Sequence, residues 1–418
     1  MVGTVLVWLI VAATLAAILF RPKNWPEAVW ACLGAVVLVI SGLVPLAQAG
    51  QAVAKGTDVY LFLTGMMLLS ELARREGVFD WLASHAVTAA KRSRMRLFGL
   101  IYLVGIGVTV FLSNDATAVV LTPAVYAAVQ KARTKALPYL LICAFIANAA
   151  SFVLPIANPA NLVVYGQQLP PLLPWLKTFL VPSIFSIGAT FLALRWILRG
   201  DLEGKIDDGT EPGNLSREGH WAAWGIVATG AVLITASAFG LDLGLPTCVS
   251  AVIAVLLATR ARASAVGAVA RGVSWSVLPL VAGLFVLVES LNHAGALHAV
   301  GRALQWCGGL PPIAGGLAAS FGIAGLSNLM NNLPSGLLAG GVLQTMRLAS
   351  YVRDSVLIGV DLGPNLSVTG SLATILWLIV LRREGEEITA WEFLKIGLLV
   401  TPPALLLATL SLALVHAG

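Results

Sequence analysis

Apolar blocks about 20 residues long recur along the whole chain, and this feature constrains its fold more than any other. A helix of about 20 residues crosses the roughly 30 Å hydrocarbon core of a bilayer. Of the 418 residues, 58% are hydrophobic and only 11% are charged. A core of ordinary size cannot cover so much apolar surface, so lipid must cover part of it. The sequence therefore predicts an all-α integral membrane protein.

Most of these blocks have the length of a single crossing. They are Val2–Phe20, Glu27–Leu46, Thr57–Ala73, Leu172–Leu198, His220–Gly240, Leu243–Thr259, Val273–Leu291 and Ile388–Val415. No basic segment of signal-peptide type precedes the first block, so we interpret it as a span.

Blocks 97–130 and 310–346, like block 136–168 below, are too long for one crossing, and both have polar centres. Basic residues flank both ends of the first block, which places both ends on one side of the membrane. We interpret both blocks as re-entrant hairpins whose polar tips lie at membrane depth, surrounded by protein or a water-filled cavity. Two short full spans joined by a polar turn remain the alternative.

Two further blocks, 136–168 and 352–381, have polar centres that contain helix-breaking residues. Pro155, Pro159 and Pro364 each remove a helix hydrogen bond. Gly363 and Gly370 permit local unwinding. These two blocks are predicted to be broken spans.

The distribution of basic residues orients the spans. Of the 26 Lys and Arg residues, all but Lys55, Lys177, Arg302, Arg347, Arg353 and Lys395 are assigned to the cytoplasmic side. By the positive-inside rule this gives about ten crossings, with both termini periplasmic in a bacterial inner membrane.

The two halves of the chain resemble each other. Gly65, Glu71 and Gly77 recur with the same spacing as Gly283, Glu289 and Gly295. From Glu71 to Asn114 there are 43 residues, and from Glu289 to Asn331 there are 42. The sequence predicts inverted repeats, 1–199 and 220–418, joined by a cytoplasmic linker, 200–219. Such repeats are typical of secondary transporters, which bind substrate near the midplane where the repeats meet.

The four polar centres are expected to converge into one binding site, where unwound backbone and half-helix ends hold a small polar solute. Kinks that serve only packing are the alternative. The predicted substrate-binding residues are Ser113, Asn114, Thr117, Asn158, Asn161, Asn328, Asn331, Asn332, Asn365, Thr369 and Ser371.

Two carboxylates in these segments, Asp115 and Asp361, are predicted to carry protons, because ionising a carboxylate at membrane depth is costly. Capping of a following helix is an equal alternative for Asp115. Glu71, Glu289 and Asn148 are expected to have structural or coupling roles.

The scattered cysteines predict neither disulfides nor a metal site. Cys143 lies near the predicted site and is interpreted as a small buried residue rather than a ligand of a soft metalloid. The chain has no phosphate-binding loop pattern and no nucleophile triad, so an enzyme is not expected. We predict no cofactor, with the proton gradient as energy source.

Three segments resemble the arsenical pump membrane proteins, the ArsB family of the ion transporter superfamily. They are Ser113-Asn114-Asp115-Ala116-Thr117-Ala118, Met330-Asn331-Asn332-Leu333-Pro334-Ser335, and Asp361-Leu362-Gly363-Pro364-Asn365 with Gly370-Ser371-Leu372-Ala373-Thr374. The resemblance covers nearly the whole chain. It implies efflux of arsenite and antimonite in exchange for protons, and a soluble arsenite-stimulated ATPase as a cytoplasmic partner.

One position departs from the family pattern. Many members carry Asp where this chain has Asn148, so a proton carrier is absent there. The chemistry of the segments still suits arsenite, which near neutral pH is mostly an uncharged trihydroxide that amides and hydroxyls can bind. The alternatives are a sodium/proton antiporter or organic-anion carrier of the same superfamily, a channel, and a membrane enzyme.

Overall fold

The computed structural model describes residues 2–166, 169–207 and 213–417. The described residues form α-helices throughout and no β-strand beyond one bridge between Ser93 and Lys205. The predicted all-α fold is therefore confirmed. The end of the first predicted broken span, Gln167 and Gln168, lies outside the described residues, as do residues 208–212 of the predicted linker.

The described residues of the first half form ten α-helices. They are α1 (Val2–Phe20), α2 (Glu27–Ile40), α3 (Leu46–Lys55), α4 (Thr57–Arg75), α5 (Val78–Ala89), α6 (Arg94–Phe111), α7 (Thr122–Lys131), α8 (Leu137–Ala149), α9 (Pro159–Tyr165) and α10 (Leu172–Ile197).

The helices of the second half follow in the same order. They are α11 (Arg217–Ala238), α12 (Gly244–Ala258), α13 (Ala263–Gly272), α14 (Val277–His293), α15 (Ala296–Gly308), α16 (Pro312–Met330), α17 (Asn332–Thr345), α18 (Ser350–Leu362), α19 (Leu372–Arg383) and α20 (Ala390–Ala417). Each has its counterpart ten helices earlier, so α11 corresponds to α1 and α20 to α10.

Matching local details support this correspondence. Gly77 and Gly295 precede α5 and α15 with φ of 73° and 87°, the left-handed region that favours glycine. In each hairpin, hydroxyls eight residues apart tie the two arms together. Thr109 and Thr117 are 2.8 Å apart, and Ser327 and Ser335 are 2.7 Å apart. This register aligns Asn114 with Asn332, one residue later than the sequence spacing suggested.

The two repeats interlock. Helix α2 packs against α14, α4 packs against α12, and α10 packs along α20. Glycines permit two of these crossings. A Cβ on Gly65 would lie 2.6 Å from the Thr247 carbonyl oxygen, and one on Gly283 would lie 2.8 Å from the Ala31 carbonyl carbon. Helix α2 contacts α14, and the counterpart of α2, which is α12, contacts the counterpart of α14, which is α4. A two-fold relation between inverted repeats requires such reciprocal contacts.

Several helices have the length and composition of membrane spans. Within the described ranges α6, α10, α11, α16 and α20 qualify individually. The bent pairs α3–α4 (48°) and α13–α14 (41°) each qualify when taken together. The chain is therefore a multi-pass membrane protein. Helices α6 and α16 are long enough to cross alone, whereas α7 and α17 have 10 and 14 residues, so the re-entrant placement of the hairpins stays a prediction.

The loops gather at two ends of the molecule. At one end, which we call the basic face, Arg75 donates to the Ala268 carbonyl and Arg260 pairs with Glu218 at 3.4 Å. At the other end, which we call the opposite face, Lys55 pairs with Glu289 at 3.2 Å. This grouping agrees with the sides that the sequence assigned to these loops.

The linker packs against the basic face. The Ile206 amide donates to the Arg92 carbonyl at 3.0 Å, and Lys135 pairs with Asp201 at 2.6 Å. Both flanks of the first hairpin and the linker therefore lie on one face.

Several predicted boundaries were inaccurate. The linker ends before α11, whose N-cap is Ser216, and therefore does not extend to residue 219. Helix α2 ends at Ile40, and the amphipathic helices α3 and α13 follow α2 and α12 as separate elements.

Candidate functional site

Each predicted broken span is interrupted by an unwound segment that contains proline. Helix α8 ends at Ala149, and a 3-10 turn at Pro155–Ala157 precedes α9. Helix α18 ends at Leu362, and a 3-10 turn at Gly363–Leu366 precedes α19. Each second half-helix has a side-chain cap, because Asn158 accepts from the Ala160 amide at 3.0 Å and Ser371 accepts from the Thr374 amide at 3.1 Å.

Polar side chains join the two broken spans directly. The Asn148 amide donates to Oδ1 of Asn365 at 3.0 Å, and the Asn158 amide donates to Oδ1 of Asp361 at 2.9 Å. All four residues are at most 1% exposed. Asn148 and Asp361 occupy corresponding places at the ends of α8 and α18. Each bonds the broken span of the other repeat, so the centre of the site is built jointly by both halves.

The tip of the second hairpin is bonded to the unwound segment 363–371. The Asn328 amide donates to the Gly363 carbonyl at 2.9 Å, and the Ser367 hydroxyl donates to Oδ1 of Asn328 at 2.6 Å. The Thr369 hydroxyl donates to the Asn328 carbonyl at 3.0 Å. The Asn332 amide N–H donates to the Gly370 carbonyl at 2.9 Å. Hairpin and broken span therefore form one polar unit in the second repeat.

The tip of the first hairpin is held mainly by local bonds. The Ala116 amide donates to Oγ of Ser113 at 3.1 Å, and the Asp115 amide donates to Oδ1 of Asn114 at 2.9 Å. A π-helical segment, Ala116–Leu121, then leads into α7 and packs against α8 and α19. The side chain of Asp115 makes no capping hydrogen bond. Capping at this turn is provided by Ser113 instead.

We call the place where the two broken spans bond each other the junction. Three buried oxygens around it have no hydrogen-bond partner among the described residues. They are Oδ1 of Asn148, Oδ1 of Asn161 and Oδ2 of Asp361. A buried acceptor without a partner is costly, so these atoms favour a ligand that donates hydrogen bonds. No Lys or Arg lies in the four polar segments. The junction therefore suits a small, uncharged, donor-rich solute better than an anion.

A narrow apolar cleft leads toward the second tip. It lies between the tip and α1 and α14, and its lining includes Leu15, Leu280, Met330, Asn331 and Leu372. Asn331 is a non-glycine residue with φ of 78°, a strained conformation that is common at functional sites.

The structure does not bring every predicted residue into this junction. Glu71 forms two hydrogen bonds with Arg74, at 2.6 and 2.7 Å, near the basic face. Glu289 pairs with Lys55 near the opposite face. Cys143 is fully buried within α8. Neither glutamate contacts a hairpin tip through the bonds it makes.

The sequence reasoning missed three polar residues of the site. Thr374 lies within 3.5 Å of the Asn148 amide and 2.8 Å from the Ser371 hydroxyl, and Ser367 bonds Asn328. Thr109 pairs with Thr117. Thr374 could have been found because it lies three residues after a serine at a helix start, the spacing of an N-cap pair.

Comparison with known proteins places this architecture in a family. The chain is 28% identical over 418 residues to an arsenical pump membrane protein of Escherichia coli, covering 96% of both chains. It is 25% identical to a putative arsenical pump membrane protein of Bacillus subtilis (strain 168), covering 93% of this chain and 94% of the relative. The predicted resemblance to arsenical pump membrane proteins is therefore confirmed.

The fold also has a solved counterpart. The crystal structure of the Alcanivorax borkumensis YdaH transporter matches with a TM-score of 0.58 at 14% identity, covering 93% of this chain and 97% of that one. A family model described as a citrate transporter matches residues 7–360. Since that match spans most of the chain, the protein belongs to the citrate transporter family.

Proposed function

We propose that this protein exports arsenite, and antimonite, from the cytoplasm in exchange for protons by alternating access. The observation that carries the proposal is the set of unpartnered buried oxygens on Asn148, Asn161 and Asp361, in segments without a cationic side chain. Arsenite as a neutral trihydroxide has three O–H donors to offer such acceptors. The names of the relatives agree with an arsenical substrate.

Asp361 is the proton carrier of the proposal. Its Oδ1 accepts from Asn158 in either protonation state, and its free Oδ2 can take up a proton or accept from the substrate. A protonated Oδ2 no longer offers an accepting lone pair in the same geometry, so proton and arsenite compete. Competition for one oxygen couples proton entry to arsenite exit if the central site changes sides only when Asp361 is protonated or bound to arsenite.

Alternating access is supported by the inverted repeats, since two states of a repeat pair expose one central site to opposite sides. A cytoplasmic position for the basic face, and docking of a soluble ATPase on it, stay predictions.

Transport of a carboxylate is the second candidate, favoured by the description of the family as citrate transporters. A tricarboxylate would require cationic side chains or bound cations beside it. The four polar segments contain no Lys or Arg, which argues against this candidate.

The test is transport into proteoliposomes under an imposed pH gradient, with and without sodium. We expect arsenite uptake that follows the pH gradient, is indifferent to sodium and is not competed by citrate. Sodium-driven citrate uptake without arsenite movement, in protein shown to be folded, would replace the proposal with the second candidate.

A further inference from the structure

A second group of buried polar side chains lies at the opposite face, outside the candidate site. Asp354 on α18 is 2% exposed and accepts three hydrogen bonds. The Tyr165 hydroxyl and Nε of Arg353 donate to its Oδ1, each at 3.0 Å, and Nε2 of His416 lies 3.0 Å from its Oδ2. We call these four residues, from α9, α18 and α20, the His416 cluster.

The members of this cluster differ in charge and in access to solution. Arg353 neutralises the buried carboxylate of Asp354. The side chain of His416 is 24% exposed, against 3% for that of Asp354. With Nε2 directed at Asp354, Nδ1 of His416 is the nitrogen left for the solution. Histidine is the side chain that takes up and releases protons near neutral pH.

The cluster is aligned with Asp361. Asp354 and Asp361 are seven residues apart on α18, which is two helical turns on one face and about 10 Å. Asn158, the N-cap of α9, and Tyr165, its last residue, are likewise seven residues apart. The start of α9 is therefore bonded to the end of α18 through Asp361, and the end of α9 is bonded to the start of α18 through Asp354.

Polar groups continue between these two ends. Asn161 lies between Asn158 and Tyr165 on the same face of α9, at the spacing of successive helical turns. Its Oδ1, like Oδ2 of Asp361, is buried without a partner among the described residues. The Tyr165 hydroxyl bonds Asp354 at one end of this stretch, and the Asn158 side-chain amide bonds Asp361 at the other. A line of polar groups, formed by Asp354, Tyr165 and Asn161, thus extends from the solvent-facing His416 toward the central carboxyl group of Asp361.

We propose that His416, Asp354 and Tyr165 form a proton path between the solution at the opposite face and Asp361. The inference rests on the proposed function, and it assigns to these residues the delivery of the proton that exchanges for arsenite. The cluster has no such role if the protein moves its substrate without protons.

The transfer conserves protons at each step. A proton from solution binds Nδ1 of His416 while the Nε2 proton moves to Oδ2 of Asp354. Rotation of the carboxyl group presents this proton to the Tyr165 hydroxyl oxygen, and the hydroxyl gives its own proton to a water molecule that the unpartnered oxygens of Asn161 and Asp361 would hold between them. That water molecule passes one of its protons to Oδ2 of Asp361. His416 is left with its proton on Nδ1. Exchange of that proton with the solution for one on Nε2, together with the return of the Asp354 carboxyl group, restores the starting state.

The helices packed against those of the cluster carry several other titratable groups. Helices α16 and α17 carry none. On the other neighbours of α9, α18 and α20, and on α18 and α20 themselves, the titratable or charged groups are Asp58, Tyr60, Glu71, Arg74 and Arg75 on α4, Tyr139 and Cys143 on α8, Lys177 and Arg195 on α10, His298, Arg302 and Cys307 on α15, Tyr351 on α18, and Glu392 and Lys395 on α20. Of the groups on these helices, His416 is the histidine bonded to a buried carboxylate.

Two transport assays separate a proton path from a structural role. The first measures arsenite flux driven by a pH gradient in proteoliposomes, together with the accompanying proton flux. The second measures exchange of labelled for unlabelled arsenite at equal pH, which needs no net protonation of Asp361. The variants are His416→Gln and Tyr165→Phe. The latter removes only the hydroxyl and keeps the ring packed 5.5 Å from Trp175.

We expect both variants to slow the gradient-driven flux roughly tenfold or more while arsenite self-exchange stays at the wild-type rate. The matched control is His220→Gln, because His220 is an exposed histidine at the basic face whose ring bonds only its own helix. It should leave both assays unchanged. Retained self-exchange also shows that each variant is folded.

Equal losses in both assays would show that the cluster has only a structural role. Unchanged gradient-driven flux in Tyr165→Phe would show that Tyr165 does not carry the proton. Either result overturns the inference while the proposed function stands. Wild-type protein that moves arsenite without moving protons would overturn the proton exchange itself, and the path with it.

Discussion

Gly370 is where the second broken span approaches its neighbours most closely, and an alanine there tests the architecture of the site. A Cβ on Gly370 would lie 2.5 Å from Cα of Pro364, 2.7 Å from its carbonyl oxygen and 2.8 Å from Oδ1 of Asn328. Two of these atoms belong to the backbone of a fixed turn. Restoring ordinary contact therefore requires the loop to move by about 1 Å.

The cost of Gly370→Ala follows from these contacts. Overpacking of this kind typically costs about 1–3 kcal/mol. The same movement stretches the bond from the Asn332 amide to the Gly370 carbonyl, and a buried amide left unpaired costs roughly 1–3 kcal/mol more. We expect a fall in Tm of roughly 2 °C or more, and a loss of arsenite transport of about tenfold or more, because the second tip is displaced at the site.

Thermal unfolding of purified protein and transport in proteoliposomes check this prediction. Gly325→Ala is the matched control, because a Cβ on that helical glycine of α16 meets nothing within 4 Å. It should leave transport intact and not lower Tm. If Gly370→Ala transports at the wild-type rate with unchanged Tm, the close approach between this loop and Pro364 is not present in the protein.

Three further substitutions test the site and its surroundings. Asp361→Asn keeps an acceptor for Asn158, so the protein should fold, but its NH2 group replaces the free Oδ2, so arsenite should bind more weakly and its flux should no longer respond to a pH gradient; wild-type pH dependence would remove Asp361 as the proton carrier. Asn158→Ala removes the cap of α9, worth about 1 kcal/mol, and the donor to Asp361, so both Tm and transport should fall, whereas transport at the wild-type rate would show that this bond does not shape the site. At the basic face, burial raises the pKa of Glu76 and the nearby Glu218 adds to the effect, although Arg75 opposes it. A carboxyl group whose pKa is raised in the folded protein lowers stability at pH values where it is ionised. Glu76→Gln should therefore raise Tm at pH 8, and this difference in Tm should vanish below about pH 4, where Glu is mostly protonated in the folded and the unfolded protein. The same difference in Tm at both pH values would contradict the assigned cause.

The sequence predicted those parts of the fold that leave a local signal. Prolines and glycines indicated the breaks near Pro155 and Pro364, and apolar length indicated the spans. Helices α3 and α13 were missed because they are short, rich in small residues and only moderately apolar, so they resemble loops in a search for spans. The recurrence of Gly77 as Gly295 was visible from spacing, and the structure supplies its reason in two left-handed turns.

The partners within the site could not be predicted in the same way. Asn148 and Asn365 are separated by 217 residues and Asn158 and Asp361 by 203. Which of the polar residues in two broken spans meet depends on the depth and rotation of each half-helix, and these are set by packing across the whole repeat pair. Sequence reasoning could therefore gather the residues into one site without saying which pairs would bond.

The pairing explains how a nearly symmetric frame yields an asymmetric site. Asn148 and Asp361 hold corresponding positions, and each meets the broken span of the other repeat. Because Asn148 cannot ionise, one of these two buried contacts joins amide to amide, the other joins amide to carboxyl, and the second alone can carry a proton. The hairpins differ as well, since the second tip is bonded to segment 363–371 whereas the first is held by bonds within itself. Asn148 and Asp361 thus lie at matching helix ends, one with an amide and one with a carboxyl, and on the proposed function this difference assigns the proton to the second repeat.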